Sequence, residues 1–136
     1  MKKLVSILAV MLVAVVLFSA CKKNGEDARD KFVGTYNTTC TLVSETPEIP
    51  VNYTLTITKS SLDNYTITLG NIHNSGKTIN ASVVGSVMTI NLQQTVFGKT
   101  VTGGGTLLNN VLTINTTYNI AGEEKTESWQ HIATKQ

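Results

Sequence analysis

The side chains with the greatest capacity for chemistry in this sequence are two cysteines, Cys21 and Cys40, and two histidines, His73 and His131. A catalytic thiol or hydroxyl needs a base beside it, and neither histidine lies near a nucleophile-elbow motif. A zinc site usually takes four ligands at regular spacing, which one cysteine and two distant histidines do not supply once Cys21 has another role. We therefore predict no enzyme activity, no catalytic residue, no metal and no cofactor, and we interpret Cys40 as a small buried side chain on a strand.

The charged residues give no sign of a specific site. Without Lys2 and Lys3 the chain has nine basic and nine acidic residues, so its net charge is close to zero. A nucleic acid would require a basic face, and we therefore predict no nucleic-acid partner. Pairs of carboxylates can serve glycosidases, but here the acidic residues fall in predicted loops, where we expect a solvated surface.

The N-terminus has the three parts of a secretory signal over residues 1–20. Lys2 and Lys3 precede an apolar run at 4–18, and small residues precede Cys21. The run is shorter than the roughly 20 residues of a membrane-spanning helix, although a permanent transmembrane anchor is the alternative. Residues 18–21 (FSAC) resemble a bacterial lipobox, with Phe18 where leucine is usual. The resemblance implies cleavage before Cys21 and acylation of that cysteine, with palmitate among the chains, so that lipid holds the protein on a membrane.

Residues 21–31 are predicted to be the lipidated cysteine and a flexible tether. Residues 22–31 contain one apolar side chain, Ala28, and such a segment has little to bury. Its charged composition resembles that of Bacteroidota lipoproteins. The resemblance implies a location in the cell envelope, at the outer membrane, facing either the periplasm or the outside.

Alternating apolar and polar residues dominate the remainder, residues 32–136, which is the pattern of half-buried strands. Residues 51–58 alternate without interruption, and turn-forming residues separate this run from similar ones. We predict eight strands, at 33–43, 51–59, 64–72, 77–84, 87–93, 96–107, 110–120 and 124–134. The predicted inward face comprises Tyr53, Leu55, Ile57, Tyr65, Ile67, Leu69, Ile79, Ala81, Val83, Met88, Ile90, Leu92, Leu112 and Ile114.

The short connections between these strands predict antiparallel neighbours. Each strand has one apolar face to bury, and closing the sheet removes its two exposed edges. We therefore predict an all-β domain at 32–136, an eight-stranded antiparallel up-and-down barrel. A two-sheet β-sandwich is the alternative. A transmembrane barrel is disfavoured because the runs are short and aromatic girdles are missing.

The start of the first strand carries a family resemblance. Gly34-Thr35-Tyr36 is similar to the Gly-x-Trp entry of lipocalin-like, or calycin, barrels, with Tyr36 in place of tryptophan. The arginine that often covers this aromatic ring from the last strand is missing, and Lys135 is the nearest candidate. The domain is also shorter than a full lipocalin and lacks its C-terminal helix. The resemblance implies a cup-shaped, non-catalytic barrel that holds a small apolar ligand.

The predicted ligand site is a narrow apolar pocket at one mouth of the barrel, lined by Tyr36, Tyr53, Tyr65 and Trp129, with the tyrosine hydroxyls orienting the ligand. On the last strand Glu127, Trp129 and His131 share a face, and we expect Glu127 and His131 at the rim. The alternative is a barrel with a filled core and no small ligand, acting as an interaction or inhibitor-type protein in the envelope.

Overall fold

The computed structural model describes residues 25–43, 48–93, 95–96, 98–120 and 126–136. The predicted signal segment, Cys21 and the first part of the tether lie outside the described residues, so cleavage and lipidation stay predictions. Among the described residues, no helix has both the length and the apolar character needed to cross a membrane.

Nine strands and two short 3₁₀ helices make up the described secondary structure. The 3₁₀ helices are Ala28–Lys31 and Ile72–Asn74. The strands are β1 (Gly34–Leu42), β2 (Val51–Lys59), β3 (Thr66–Gly70), β4 (Thr78–Val84), β5 (Val87–Ile90), β6 (Thr95–Val96), β7 (Lys99–Leu108), β8 (Val111–Ile120) and β9 (Thr126–Lys135).

The strands form one closed antiparallel sheet. Their order is β5-β4-β3-β2-β1-β9-β8-β7, and a further pairing of β5 with β7 closes the ring. The two-residue strand β6 pairs with the start of β7 and is not one of the eight strands that form the barrel. The predicted eight-stranded up-and-down barrel is thus confirmed, and the closing pair leaves no room for the sandwich alternative.

The ring closes at three consecutive glycines in β7. Gly103, Gly104 and Gly105 pair with β5 on one side and with β8 on the other. A Cβ atom on Gly103 would overlap the carbonyl oxygen of Asn115, and one on Gly105 would lie 2.8 Å from the carbonyl oxygen of Thr113. The glycines therefore let three strands approach more closely than side chains would permit, as sharp curvature in a small barrel requires.

The predicted alternation holds along most strands, since apolar side chains point inward and polar ones outward. Of the inward face listed above, Tyr65 and Leu92 were placed wrongly, being 58% and 65% exposed. The Asp63 carboxylate accepts hydrogen bonds from the backbone N–H groups of Tyr65 and Thr66, and this turn delays β3 until Thr66. Leu92 lies beyond the end of β5 at Ile90.

The barrel has two distinct ends. At the entry end, the chain enters through the helix Ala28–Lys31, and β2–β3, β4–β5 and β7–β8 are connected. At the distal end lie the connections β1–β2, β3–β4, β5–β7 and β8–β9. Phe32 is fully buried below the entry helix and its carbonyl accepts a hydrogen bond from the Tyr36 hydroxyl at 2.7 Å. Aromatic packing thus fills the barrel at its entry end.

The last part of the predicted tether is held against the barrel. Asp27 caps the entry helix, and the buried guanidinium of Arg29 donates to the carbonyl oxygen of Asp63 at 2.6 Å. Lys59 on β2 forms ion pairs with Asp27 and Asp30. The prediction of a flexible tether is therefore wrong for residues 27–31, because a polar segment can be fixed by hydrogen bonds as well as by apolar burial.

Candidate functional site

A cluster of polar and aromatic side chains occupies the interior at the distal end. We call it the distal cluster; its members are Thr38, Cys40, Tyr53, His73, Thr116, Tyr118, Trp129 and His131. Strand register builds most of it, since Cys40 on β1 lies directly opposite His131 on β9 and both point inward. Directly opposed inward residues have Cβ atoms about 5 Å apart, which is close enough for their side chains to meet.

His131 is the centre of the hydrogen bonding in this cluster and is fully buried. Its Nδ1 atom lies 2.9 Å from the Tyr53 hydroxyl, and its Nε2 atom lies 3.0 Å from Thr116 Oγ1. A hydroxyl can donate or accept, so both ring nitrogens are satisfied while the imidazole stays neutral. The ring is thereby fixed in position from two strands, β2 and β8.

His73 reaches the cluster from the connection between β3 and β4. It has a left-handed backbone, with φ at 56°, inside the short helix Ile72–Asn74. Buried Ile72 anchors this helix in the core, and Asn71 ties the loop down by donating to the carbonyl of Thr54 and accepting from the N–H of Gly76. A left-handed histidine is uncommon, and the surrounding bonds hold it there.

Aromatic rings surround His73. Its imidazole meets the ring of Trp129 edge-on at 4.3 Å between centroids and that of Tyr118 at 5.4 Å. The His131 ring lies 5.9 Å away. His73 is half-buried as a result.

Two buried polar atoms of the cluster, Thr38 Oγ1 and Trp129 Nε1, lack a hydrogen-bond partner among the described residues, whereas the Tyr118 hydroxyl interacts with the Thr116 side chain. Most buried polar atoms in proteins are paired, because desolvating them without a partner costs about 1–3 kcal/mol each. Unpaired polar atoms at one end of the barrel are expected of a site that binds a polar or ionic ligand.

Burial keeps the titratable groups of the cluster uncharged. Desolvation, aided by the proximity of His73, lowers the pKa of His131 to about 3. Desolvation likewise lowers the pKa of His73 and raises that of the Cys40 thiol to about 12. The Tyr118 hydroxyl has its pKa raised to about 12 for the same reason. At neutral pH the cluster therefore offers two neutral imidazoles and a protonated thiol.

The three strongest metal-ligating atoms of the cluster lie together. Cys40 Sγ is 3.5 Å from His73 Nδ1 and 3.9 Å from His131 Nε2, and all three atoms lie within 4.8 Å of one another. Spacing along the chain gave no hint of this group, because its members come from β1, a loop and β9. Their closeness depends on barrel closure, which only the tertiary structure shows.

The predicted ligand residues divide between different places. Tyr53 and Trp129 belong to the distal cluster. Tyr36 points its hydroxyl to the entry end, and Tyr65 lies exposed in the β2–β3 connection. One pocket lined by all four is therefore not what the structure shows. On β9, Glu127 does lie at the rim, in an ion pair with Lys99 at 2.6 Å, whereas His131 is deep inside.

An open groove of about 550 Å³ lies on the outside of the barrel, between β1, β2 and β9. Its walls are short polar side chains such as Asn37, Thr39 and Asn52. Such a lining offers few anchors for an apolar ligand.

Comparison with known proteins does not assign the chain to a group. No protein-family model matches it, and a search of curated proteins finds no significant match.

Proposed function

We propose that this protein is an envelope lipoprotein, held on the outer membrane by acyl chains on Cys21, whose barrel binds a small ligand in the distal cluster without covalent chemistry. The observation that carries the proposal is the pair of buried polar atoms on Thr38 and Trp129 that lack a hydrogen-bond partner among the described residues. A ligand that forms hydrogen bonds with these atoms would offset the free energy lost by burying them without a partner.

The packing of the interior bears on the chemistry of this ligand. Large buried side chains such as Leu55, Ile67, Leu112 and Ile114 fill the barrel between its ends. The distal cluster instead presents hydroxyls, imidazoles, a thiol and an indole N–H. A small ligand with polar or ionic character therefore fits this site better than the purely apolar molecule expected from the sequence.

The surface of the entry end supports a membrane-facing orientation. Leu62, Val84, Val87 and Leu108 are exposed at the connections of this end, around the point where the chain enters the barrel. Residues 22–26 between Cys21 and Asp27 span at most about 20 Å when extended, so acylated Cys21 would keep this end near the bilayer. Apolar tips at an acyl-anchored end gain free energy by leaving water.

Native mass spectrometry of the full chain, released from membranes in mild detergent, tests both parts of the proposal. We expect acyl chains on Cys21 and an additional small bound species. The double variant Thr38→Val, Trp129→Phe lacks both unpaired groups, and we expect it to lose that species. A chain with no acyl mass and no bound species would contradict the proposal.

The filled interior favours a second candidate, an envelope interaction protein that needs no small ligand. In that case the same spectra would show the acylated chain alone, and a partner protein would co-purify with it. Removal of residues 22–26 would then reduce this capture if the N-terminal segment enters the partner, as in inhibitor-type barrels.

A further inference from the structure

The distal cluster contains three side chains that commonly bind transition metals, and they converge on one point. Cys40 Sγ lies 3.5 Å from His73 Nδ1 and 3.9 Å from His131 Nε2. Two of the three residues are fully buried and the third is half-buried. Buried cysteine–histidine groups of this kind are rarely needed for packing alone, since apolar side chains fill the same space at lower cost.

The distances agree with those around a bound ion. Metal–sulfur and metal–nitrogen bonds of about 2.3 and 2.0–2.1 Å, at tetrahedral to trigonal angles, place sulfur and nitrogen about 3.6–3.8 Å apart. The two sulfur–nitrogen separations in the structure lie on either side of this range. The two nitrogens lie no more than 4.8 Å apart, and each would approach the ion when it binds.

A neighbouring residue orients one of these ligands from behind. The Tyr53 hydroxyl lies 2.9 Å from Nδ1 of His131, on the side of the ring opposite to Cys40. Ligating histidines characteristically use their second nitrogen in such a bond, which fixes the tautomer and the ring plane. The ring of Trp129 packs edge-on against that of His73.

We propose that Cys40, His73 and His131 form a three-ligand site for a thiophilic d¹⁰ metal ion, Zn²⁺ or Cu⁺. The proposal rests on the proposed function, because it identifies the ligand of the same distal cluster as a metal ion. A thiolate and two imidazoles suit these ions, whereas Mg²⁺ and Ca²⁺ require oxygen ligands. On binding, the Cys40 thiol releases its proton to solvent and its sulfur forms the metal bond. The ion also takes Nε2 of His131 from its present partner, the Thr116 hydroxyl.

Cobalt titration tests the site, because Co²⁺ replaces Zn²⁺ and gives a thiolate-to-metal charge-transfer band. The full chain carries Cys21→Ser, so that Cys40 is the one thiol present, and is held in detergent. We expect one Co²⁺ per chain, displaced by Zn²⁺, and separate capture of Cu⁺ from a competing chelator. If the chain with Cys40, His73 and His131 intact gives no charge-transfer band and takes up neither Zn²⁺ nor Cu⁺, the proposal is overturned.

Variants separate ligation from general damage to the cluster. Cys40→Ser should abolish the band, and His73→Asn should weaken binding by more than about 100-fold while keeping a residue tolerant of the left-handed backbone. Thr56→Val makes the same kind of change at an exposed position of β2 outside the cluster and should leave binding intact. Equal binding by His73→Asn and wild type, with both folded by circular dichroism, would contradict the site.

The role of Tyr53 has its own matched pair. Tyr53→Phe should weaken Zn²⁺ binding by about 10–100-fold, the usual effect of losing a bond behind a ligand, whereas Tyr65→Phe, the same change at an exposed position, should not. If metal binding fails while native mass spectra still show an organic species on the chain, this inference falls and the proposed function stands. Loss of both would overturn the two together.

Discussion

His131 shows how folding can hold an ionisable side chain in its neutral form. The ring is fully buried and each nitrogen faces a hydroxyl, one from Tyr53 and one from Thr116. Neither hydroxyl carries a charge that would stabilise an imidazolium, and burial lowers the pKa of His131 to about 3. Protonation of this ring in the folded protein is therefore unfavourable at neutral and mildly acidic pH.

This arrangement predicts a loss of stability in mild acid. An unfolded histidine has a pKa near 6.5, so between that pH and about 3 the unfolded chain binds a proton that folded His131 does not. Protonation of this residue in the unfolded chain does not lower the unfolding free energy above pH ~6.5, and it lowers the unfolding free energy increasingly as the pH falls below that value. We expect the metal-free protein to lose about 2 kcal/mol of unfolding free energy between pH 7.5 and pH 5 from His131, with His73 acting in the same direction. Urea unfolding with a chelator present measures it.

A substitution isolates the contribution of His131. His131→Gln keeps a donor and an acceptor but does not titrate, so its unfolding free energy should depend less on pH over the same interval. The pKa values of Asp27 and Asp63 lie below their usual range, so these carboxylates do not titrate there. Identical pH profiles for wild type and His131→Gln would contradict the prediction.

The sequence predicts single positions of the distal cluster but not the cluster itself. Alternation indicates that Cys40 is buried on a strand and that Trp129 and His131 share a face, and the structure confirms both. It does not indicate that His73, in a loop, turns into the same interior. That outcome depends on buried Ile72 and on the two hydrogen bonds of Asn71, which no periodic pattern encodes.

At the scale of elements, β7 carries the feature on which closure depends. Its three central glycines pair with β5 and β8 at once, and the barrel ring is completed there. The structure shows that these positions need space, because a Cβ atom at Gly103 would overlap the carbonyl oxygen of Asn115 on β8.

We therefore expect Gly103→Ala to destabilise the barrel by at least about 2 kcal/mol, the usual cost of forcing an extra carbon into a packed site. Gly70→Ala on β3 is the matched control, because its nearest neighbour would be the Thr56 carbonyl oxygen at an ordinary 3.5 Å. That variant should stay within about 1 kcal/mol of wild type. Thermal unfolding followed by circular dichroism gives both values, and equal effects would contradict this view of closure.

Strand boundaries show what alternation alone misses. The run at 65–69 alternates well, yet β3 begins at Thr66 because Asp63 binds two successive backbone N–H groups and the Thr66 hydroxyl. An Asp placed before a strand can form such a turn, so this error was open to correction from the sequence. The two-residue strand β6 was not, since it exists only by pairing with the start of β7.

At the scale of the molecule, the two ends of the barrel differ in chemistry. The distal end encloses a polar cluster behind Trp129, and the entry end presents exposed apolar tips next to the point where the chain enters. If lipid on Cys21 holds the entry end at the bilayer, the distal end with the distal cluster faces away from the membrane. A ligand would then reach the site from the aqueous phase.

This orientation predicts a difference between two labelled positions. Leu108→Cys lies at an entry-end tip and Lys77→Cys in the distal β3–β4 connection, and both residues are exposed, whereas Cys40 is fully buried and shielded from labelling. In vesicles that contain the acylated full chain, a fluorophore at position 108 should be quenched strongly by nitroxide-bearing lipids, and one at position 77 weakly.

Each apolar tip that leaves water stabilises this orientation by about 1–2 kcal/mol, so Val84→Ser should weaken the quenching at 108 without releasing the chain. Cys21→Ser, which removes the acylated residue, should abolish the contrast. Stronger quenching at 77 than at 108 would mean that the distal end faces the bilayer, and the proposed route to the ligand site would then be wrong.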